Sequence, residues 1–184
     1  MVLRQLQRNS RGRVAVAAKT KLSADQTSLF GSSTQGSDSE FVRIPVAVLM
    51  YCDGGSRGNP GPSAIGAVVY SASGDDDVVL AEVSEFIGIA TNNVAEYKAM
   101  LAGLDAAIVL GATSITVRAD SKLLIEQLKG NYKVKHPNLQ PLHADAMVKL
   151  RCFDRVALEH VRREFNTVAD ALANRALDAE AGRR

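Results

Sequence analysis

Residues 52–61 read CDGGSRGNPG, after the apolar run PVAVLMY (45–51) and shortly before a second, AIGAVVY (64–70). Continuous apolar runs of this length are the pattern of strands covered on both faces. Two strands therefore flank a glycine-rich turn, and Asp53 stands where the first strand gives way to it. Such a turn has three readings: a phosphate cradle, an ordinary tight turn with Asp before Gly-Gly, or one corner of a metal site. A phosphate cradle of the nucleotide-binding kind must run into a helix. Here Pro60 and Pro62 intervene, a strand-like run follows, and no Gly-Lys-Ser/Thr occurs. That reading fails. What the glycines offer is bare backbone N–H and C=O, open to close approach by a sugar-phosphate chain and its 2′-hydroxyl.

Outward from this stretch the chain alternates cleanly. SGDDD (73–77) supplies turn residues, and VVLAEVSEFIG (78–88) reads as a third strand. Short links between the three predict an antiparallel meander. TNNVAEYKAMLAGLDAAIVLGA (91–112) follows, with Val94, Tyr97, Leu101, Leu104 and Ile108 at spacings of three and four. This is one apolar helical stripe, ended by Gly111. SITVRAD (114–120) predicts a fourth strand and SKLLIEQLKG (121–130) a short helix stopped by Gly130. The loop NYKVKHPN (131–138) leads to the helix LQPLHADAMVKLRCF (139–153). The strand RVALEHV (155–161) and the helix NTVADALANRALDAEAG (166–182) complete the order. Three strands, then helix, strand, helix, helix, strand, helix give an α/β fold: a five-stranded mixed sheet with helices on both faces.

The segment before this is different. Residues 1–46 carry seven Lys/Arg against three acids, a charge of +4, so the other 138 residues of this +2 chain sum to −2. TSLFGSSTQGSDSE (27–40) has linker composition, and residues 1–44 are expected to be a flexible extension. The first 22 residues hold basic side chains and no acid. A transit peptide and a nucleic-acid-binding tail share that character. The folded part lacks the bulk positive charge that attracts polyanions, so a nucleic-acid partner would need a local patch or bridging cations. No apolar run approaches the roughly 20 residues that span a bilayer. Cys52 and Cys152 are the only cysteines and lack zinc spacing, which fits a reduced cytoplasmic chain.

Four acids stand at element ends. Asp53 ends the first strand. Glu96 lies three residues after Asn93, as in a capping box. Asp120 sits between strand and helix, where an N-cap would be. Asp170 opens the last helix, where its charge suits the dipole. Each has this ordinary explanation. Together they place two carboxylates at carboxyl ends of strands and two at helix starts on the same sheet, the end where α/β sheets gather ligands. Four carboxylates converging would repel one another, and a divalent cation would relieve that. Oxygen donors alone favour Mg²⁺ or Mn²⁺ over zinc.

With these motifs in place, residues 45–179 resemble the ribonuclease H family, type 1. The resemblance is carried by DGGSRGNPG (53–61), TNNVAEYKAMLAGL (91–104), DSKLLIEQLKGNYKVK (120–135) and HVRREFNTVADALANRA (160–176). It is nearest the compact branch that lacks a basic protrusion, since only Lys133 and Lys135 stand in that region. The resemblance implies a ribonuclease H-like catalytic domain over 45–181 that cuts the RNA strand of RNA–DNA hybrids, leaving 5′-phosphate and 3′-hydroxyl ends. It implies two Mg²⁺ ions, replaceable by Mn²⁺, on Asp53, Glu96, Asp120 and Asp170, one activating water and one stabilising the leaving oxygen. By the same resemblance Glu96 also holds the 2′-hydroxyl. Gly54, Gly55, Ser56, Arg57, Gly58, Asn59, Asn92 and Asn93 would lie along the hybrid, with Thr91 and Ser121 near DNA-strand phosphate. Double-stranded RNA is a second candidate substrate, and a monomer is the default state.

One departure concerns an auxiliary histidine that many members carry on a loop before the last acid. Here the loop is the short RREFNT (162–167), and His160 falls inside the predicted strand. Arg163 is the candidate for the auxiliary role, with Arg162 where the compact branch has proline. His136 and His143 are expected at the surface.

Overall fold

The computed structural model describes residues 46–72 and 78–183. The expected extension over 1–44 and the turn at 73–77 lie outside the described residues. Five strands form the sheet: β1 (Ala47–Ser56), β2 (Gly61–Ser71), β3 (Val79–Ala90), β4 (Ser114–Ala119) and β5 (Arg155–His160). Between and after them come α1 (Asn92–Val109), α2 (Lys122–Leu128), α3 (Gln140–Leu150), a 3₁₀ turn (Arg163–Phe165) and α4 (Thr167–Ala181). The predicted order of elements is the observed one.

The sheet order is β3-β2-β1-β4-β5. β1, β2 and β3 pair antiparallel, as their short connections require, while β4 and β5 join parallel to β1 through helical crossovers. This topology sets the site. Tyr51 is level with Arg118 in the parallel β1–β4 register. Asp53 and Asp120, each two residues further on, therefore come level at the carboxyl end of the sheet.

The principal core lies between α1 and one sheet face. Val48, Met50 and Cys52 of β1 and Ile65, Ala67 and Val69 of β2 meet Tyr97, Met100 and Leu104 of α1, all at most 4% exposed. The apolar residues of the two strands alternate with those of the opposite face, as a pleated sheet dictates. On that opposite face α4 packs against β2 so closely that a Cβ on Gly66 would lie 2.1 Å from the Ala169 carbonyl oxygen. Gly111 and Gly130 follow the last turns of α1 and α2 with φ of 73° and 79°, the left-handed stop expected of them.

Three boundaries differ from expectation. β1 does not stop at Asp53. It runs on to Ser56, with Gly54, Gly55 and Ser56 paired to Ile65, Ala64 and Ser63. α1 is capped by Thr91, whose Oγ1 accepts from the Val94 N–H, so Glu96 falls in the second turn and Asn93 is not its cap. α2 is capped by Ser121, whose Oγ accepts from the Leu124 N–H, so Asp120 is not a cap. The ordinary explanations offered for Glu96 and Asp120 thereby fall away. The cysteines differ in kind: Cys52 is fully buried and Cys152 exposed. His143 is half-buried against Tyr97 rather than a free surface residue.

Candidate active site

The carboxyl end of the sheet opens into a cleft of about 290 Å³, lined by Asp53, Glu96, Asp120 and Asp170 among others. β1 brings Asp53 and β4 brings Asp120. Glu96 arrives because α1 begins almost in contact with β1. A Cβ on Gly54 would lie 2.1 Å from the Ala95 carbonyl carbon and 2.3 Å from the Glu96 nitrogen. Only glycine fits there, so Gly54 is what allows the helix to bring Glu96 to the strand end.

Carboxylate oxygens of Asp53, Glu96 and Asp120 lie within 4.8 Å of one another. Asp170 stands outside that group. Its Oδ1 takes an ion pair from Arg163 Nη2 at 2.8 Å and its Oδ2 a hydrogen bond from Asn174 Nδ2 at 3.0 Å. Arg163, largely exposed, lines the cleft.

The electrostatics are those of a crowded acid cluster. Burial, then the charges of Asp120 and Asp170, push Asp53 up to about 6. Burial, then Asp53 and Asp120, push Glu96 up to about 9. A hydrogen bond from the Gly54 N–H and the charge of Arg163 oppose both shifts without cancelling them. The Cys52 thiol beneath is also pushed well up by burial and by the acids above it. Glu96 Oε2 is buried and accepts no hydrogen bond. An orphaned carboxylate oxygen is costly unless something electropositive meets it. Three converging carboxylates, one with a bare oxygen, fit an oxygen-preferring divalent cation.

The expected nucleic-acid residues divide into groups. Gly54, Gly55, Ser56, Arg57 and Asn92 line the cleft. Gly58 and Asn59 form the exposed tip of the β1–β2 hairpin, tied back by the Asn92 N–H, which donates to Asn59 Oδ1 at 3.2 Å. Arg57 is ion-paired with Asp178 of α4. Asn93 is exposed outside the cleft lining, and Thr91 and Ser121 are engaged as helix caps. His160 sits at the end of β5, its Nε2 3.2 Å from the Asp120 carbonyl oxygen. Two residues escaped the sequence reading. Asn174 stands one turn after Asp170, a spacing legible in principle. Asn166 precedes the last helix like an ordinary cap, yet its side chain makes no capping bond and is buried.

Comparison with known proteins bears on the family and the fold. A family model described as reverse transcriptase-like matches residues 51–176. The N-terminal RNase H domain of Rv2228c from Mycobacterium tuberculosis, solved as a fusion with maltose-binding protein, is 52% identical with a TM-score of 0.69. The match covers 72% of this chain and 99% of that one. The chain belongs to the ribonuclease H family. Within it, RNase H1 of the halophilic archaeon Halobacterium salinarum is 45% identical, with a TM-score of 0.69 over 72% of this chain and 98% of that one. LC11 RNase H1, solved in complex with an RNA/DNA hybrid, is 39% identical, with a TM-score of 0.67 over 73% and 99% of the two chains. The full bifunctional protein Rv2228c is 54% identical over 134 residues, 73% of this chain, but this ribonuclease H match spans only 36% of that protein's length.

Proposed function

We propose that the chain is an endoribonuclease that hydrolyses the RNA strand of RNA–DNA hybrids, leaving 5′-phosphate and 3′-hydroxyl ends. One observation carries this reading: three carboxylates of a ribonuclease H fold converge within 4.8 Å, with Glu96 Oε2 buried and bare. Asp53, Glu96, Asp120 and Asp170 would hold two Mg²⁺ ions, or Mn²⁺ in their place. When bound, such cations supply an activated water and neutralise charge on the leaving 3′-oxygen. With its carboxyl raised to about 9, Glu96 retains its proton near neutral pH until a cation takes its place, while Asp53, raised to about 6, is already largely ionised there.

The chain's own residues do the rest. Gly54 and Gly55 offer backbone to a duplex beside Asp53, with room at Gly55 where no side chain stands, and Gly58 with Asn59 extends that surface along the hairpin tip. Asn92 and Asn93 are assigned to the hybrid near its minor groove, and Glu96 to the RNA strand's 2′-hydroxyl. Thr91 and Ser121 keep their hydroxyl protons free to donate to DNA-strand phosphate while their oxygens cap helices. Arg57 contributes positive charge at the cleft edge. Arg163 is assigned the auxiliary role: its guanidinium neutralises Asp170 until the ions arrive, and it is exposed enough to meet substrate or product phosphate. In this reading the protein acts as a monomer, and its two unpaired thiols suit the cytoplasm. No described helix is long and apolar enough to cross a membrane.

The test compares hybrid, double-stranded RNA and double-stranded DNA of one sequence, with Mg²⁺ or with chelator. Cutting of the hybrid's RNA strand only in metal is the expected result, with double-stranded RNA the second substrate to score. Binding without cleavage in any divalent metal would instead make the chain a hybrid-binding module, and cleavage confined to DNA would make it a nuclease of another specificity.

A further inference from the structure

Asn166 is 1% exposed, an unusual place for an amide side chain beside a charged site. Its Nδ2 lies 3.0 Å from the Cys52 carbonyl oxygen and 3.0 Å from Asp120 Oδ1. Both partners are acceptors, so the amide orientation is dictated: a flipped side chain would set its oxygen against two oxygens. Its own Oδ1 is buried without a partner. The backbone of the same residue is equally engaged. Its N–H donates to the Arg163 carbonyl at 2.9 Å, and its C=O accepts from the Asp170 N–H at 3.1 Å. One residue therefore joins β1 next to Asp53, the carboxylate of Asp120, the turn that carries Arg163, and the start of the helix that carries Asp170.

We infer that Asn166 is a positioning residue of the carboxylate cluster, setting the orientation of Asp120 by donating to one of its oxygens. The inference rests on reading the cluster as a cation site. A carboxylate at the end of a strand is free to rotate about its last torsion. With Oδ1 committed to a buried amide, rotation is blocked, and the carboxylate stays turned toward Asp53 and Glu96. The Asp120 backbone is steadied separately by His160 at its carbonyl, so what Asn166 adds is the side-chain angle. A cap would not need this. Asn166 makes no side-chain capping bond, and its burial beneath the acids is without purpose for the helix alone. Groups that orient metal ligands typically change metal affinity or activity about 10–100-fold when removed.

Two variants test it. Asn166→Asp keeps the volume and suits a helix start, but turns the donor into an acceptor facing Asp120. Asn166→Leu keeps comparable volume and removes the amide without adding charge. The readouts are Mn²⁺ binding to the substrate-free protein by calorimetry, kcat and KM on a hybrid at fixed Mg²⁺, and the melting temperature in chelator. Expected is a roughly 10–100-fold loss in Mn²⁺ affinity and in kcat, with KM for the hybrid within about twofold of wild type. A folded variant of either kind with wild-type Mn²⁺ affinity and kcat, showing only a lowered melting temperature, would overturn the inference and leave Asn166 a structural residue. Wild type that binds no Mn²⁺ at all would overturn the cation reading itself, a separate failure seen before any variant is made.

Discussion

Two buried polar clusters meet on α1 at consecutive residues. Glu96 belongs to the acid cluster, where like charges crowd together and Oε2 has no partner. Tyr97, next along the helix, belongs to a cluster in which each group is answered. Its hydroxyl donates to Gln127 Oε1 at 2.9 Å, Gln127 Nε2 donates to the Lys133 carbonyl at 3.4 Å, and His143 Nε2 lies 3.2 Å from the Gln127 carbonyl. The second cluster ties α1, α2, the following loop and α3 together. Buried polarity that is satisfied serves the fold; buried polarity left unsatisfied reserves a place for something the chain lacks. Substitutions on the two sides should therefore change stability and activity in opposite senses.

The largest effect falls on the acid side. Asp53→Asn should reduce hybrid cleavage below detection while leaving hybrid binding in a gel-shift assay nearly intact. In chelator the same variant should melt at a higher temperature than wild type, because one of the mutually repelling charges is gone. Cleavage that survives the substitution would remove Asp53 from the chemistry. A lower melting temperature would show that the cluster is not under electrostatic strain.

The pH dependence of the metal-free protein is the second test. Asp53 rises from 3.8 to about 6 and Glu96 from 4.5 to about 9. Both are raised, so the folded chain binds more protons than the unfolded chain between those limits. Stability then falls as pH climbs from about 4 towards 9. In chelator the melting temperature should decline from pH 6 to pH 9, while the increment on adding Mg²⁺ should grow over the same range. An increment independent of pH would mean that the cation does not replace these protons.

Gly54→Ala should come next. Its Cβ would meet the backbone of Ala95 and Glu96, which cannot yield as a side chain tip can. Overpacking of this kind costs roughly 1–3 kcal/mol, sometimes more. Urea denaturation should show that loss, and cleavage should fall in the surviving folded protein because Glu96 is pushed from Asp53.

These particulars show where the sequence was legible. The element order followed from apolar periodicity and glycine punctuation, both local signals. The four acids were legible through their joint placement, since each alone looked like a turn or cap residue. What misled was competition between local motifs. Asn93-x-x-Glu96 looks like a capping box, but Thr91 caps two residues earlier, which moves Glu96 beyond the reach of the helix dipole's first turn. Gly54 and Gly55 look like turn residues, yet they extend the strand, and at Gly54 the approach of α1 leaves no space for a side chain. Asn166 could not be found, since burial of a polar side chain is a tertiary fact. The half-buried His143 was missed for the same reason, its partner being 16 residues away.

The smallest expected effect is on the satisfied side, and it sharpens the contrast most directly. Tyr97 is 1% exposed, and burial pushes its hydroxyl up to about 12, so it remains a donor at any working pH. Tyr97→Phe removes that donor and leaves Gln127 Oε1 buried without a partner. Losing a neutral hydrogen bond and orphaning its acceptor costs about 1–3 kcal/mol. No charge is altered, and the apolar body of the ring stays in the core beside Met100 and Leu104. Glu96 should keep its place, so kcat and Mg²⁺ dependence should match wild type while the urea midpoint falls. Glu96→Gln, one residue away, should do the reverse: cleavage lost, metal-free stability gained. If Tyr97→Phe also lowered kcat, the two clusters would be coupled through the helix, and the division between them would be wrong.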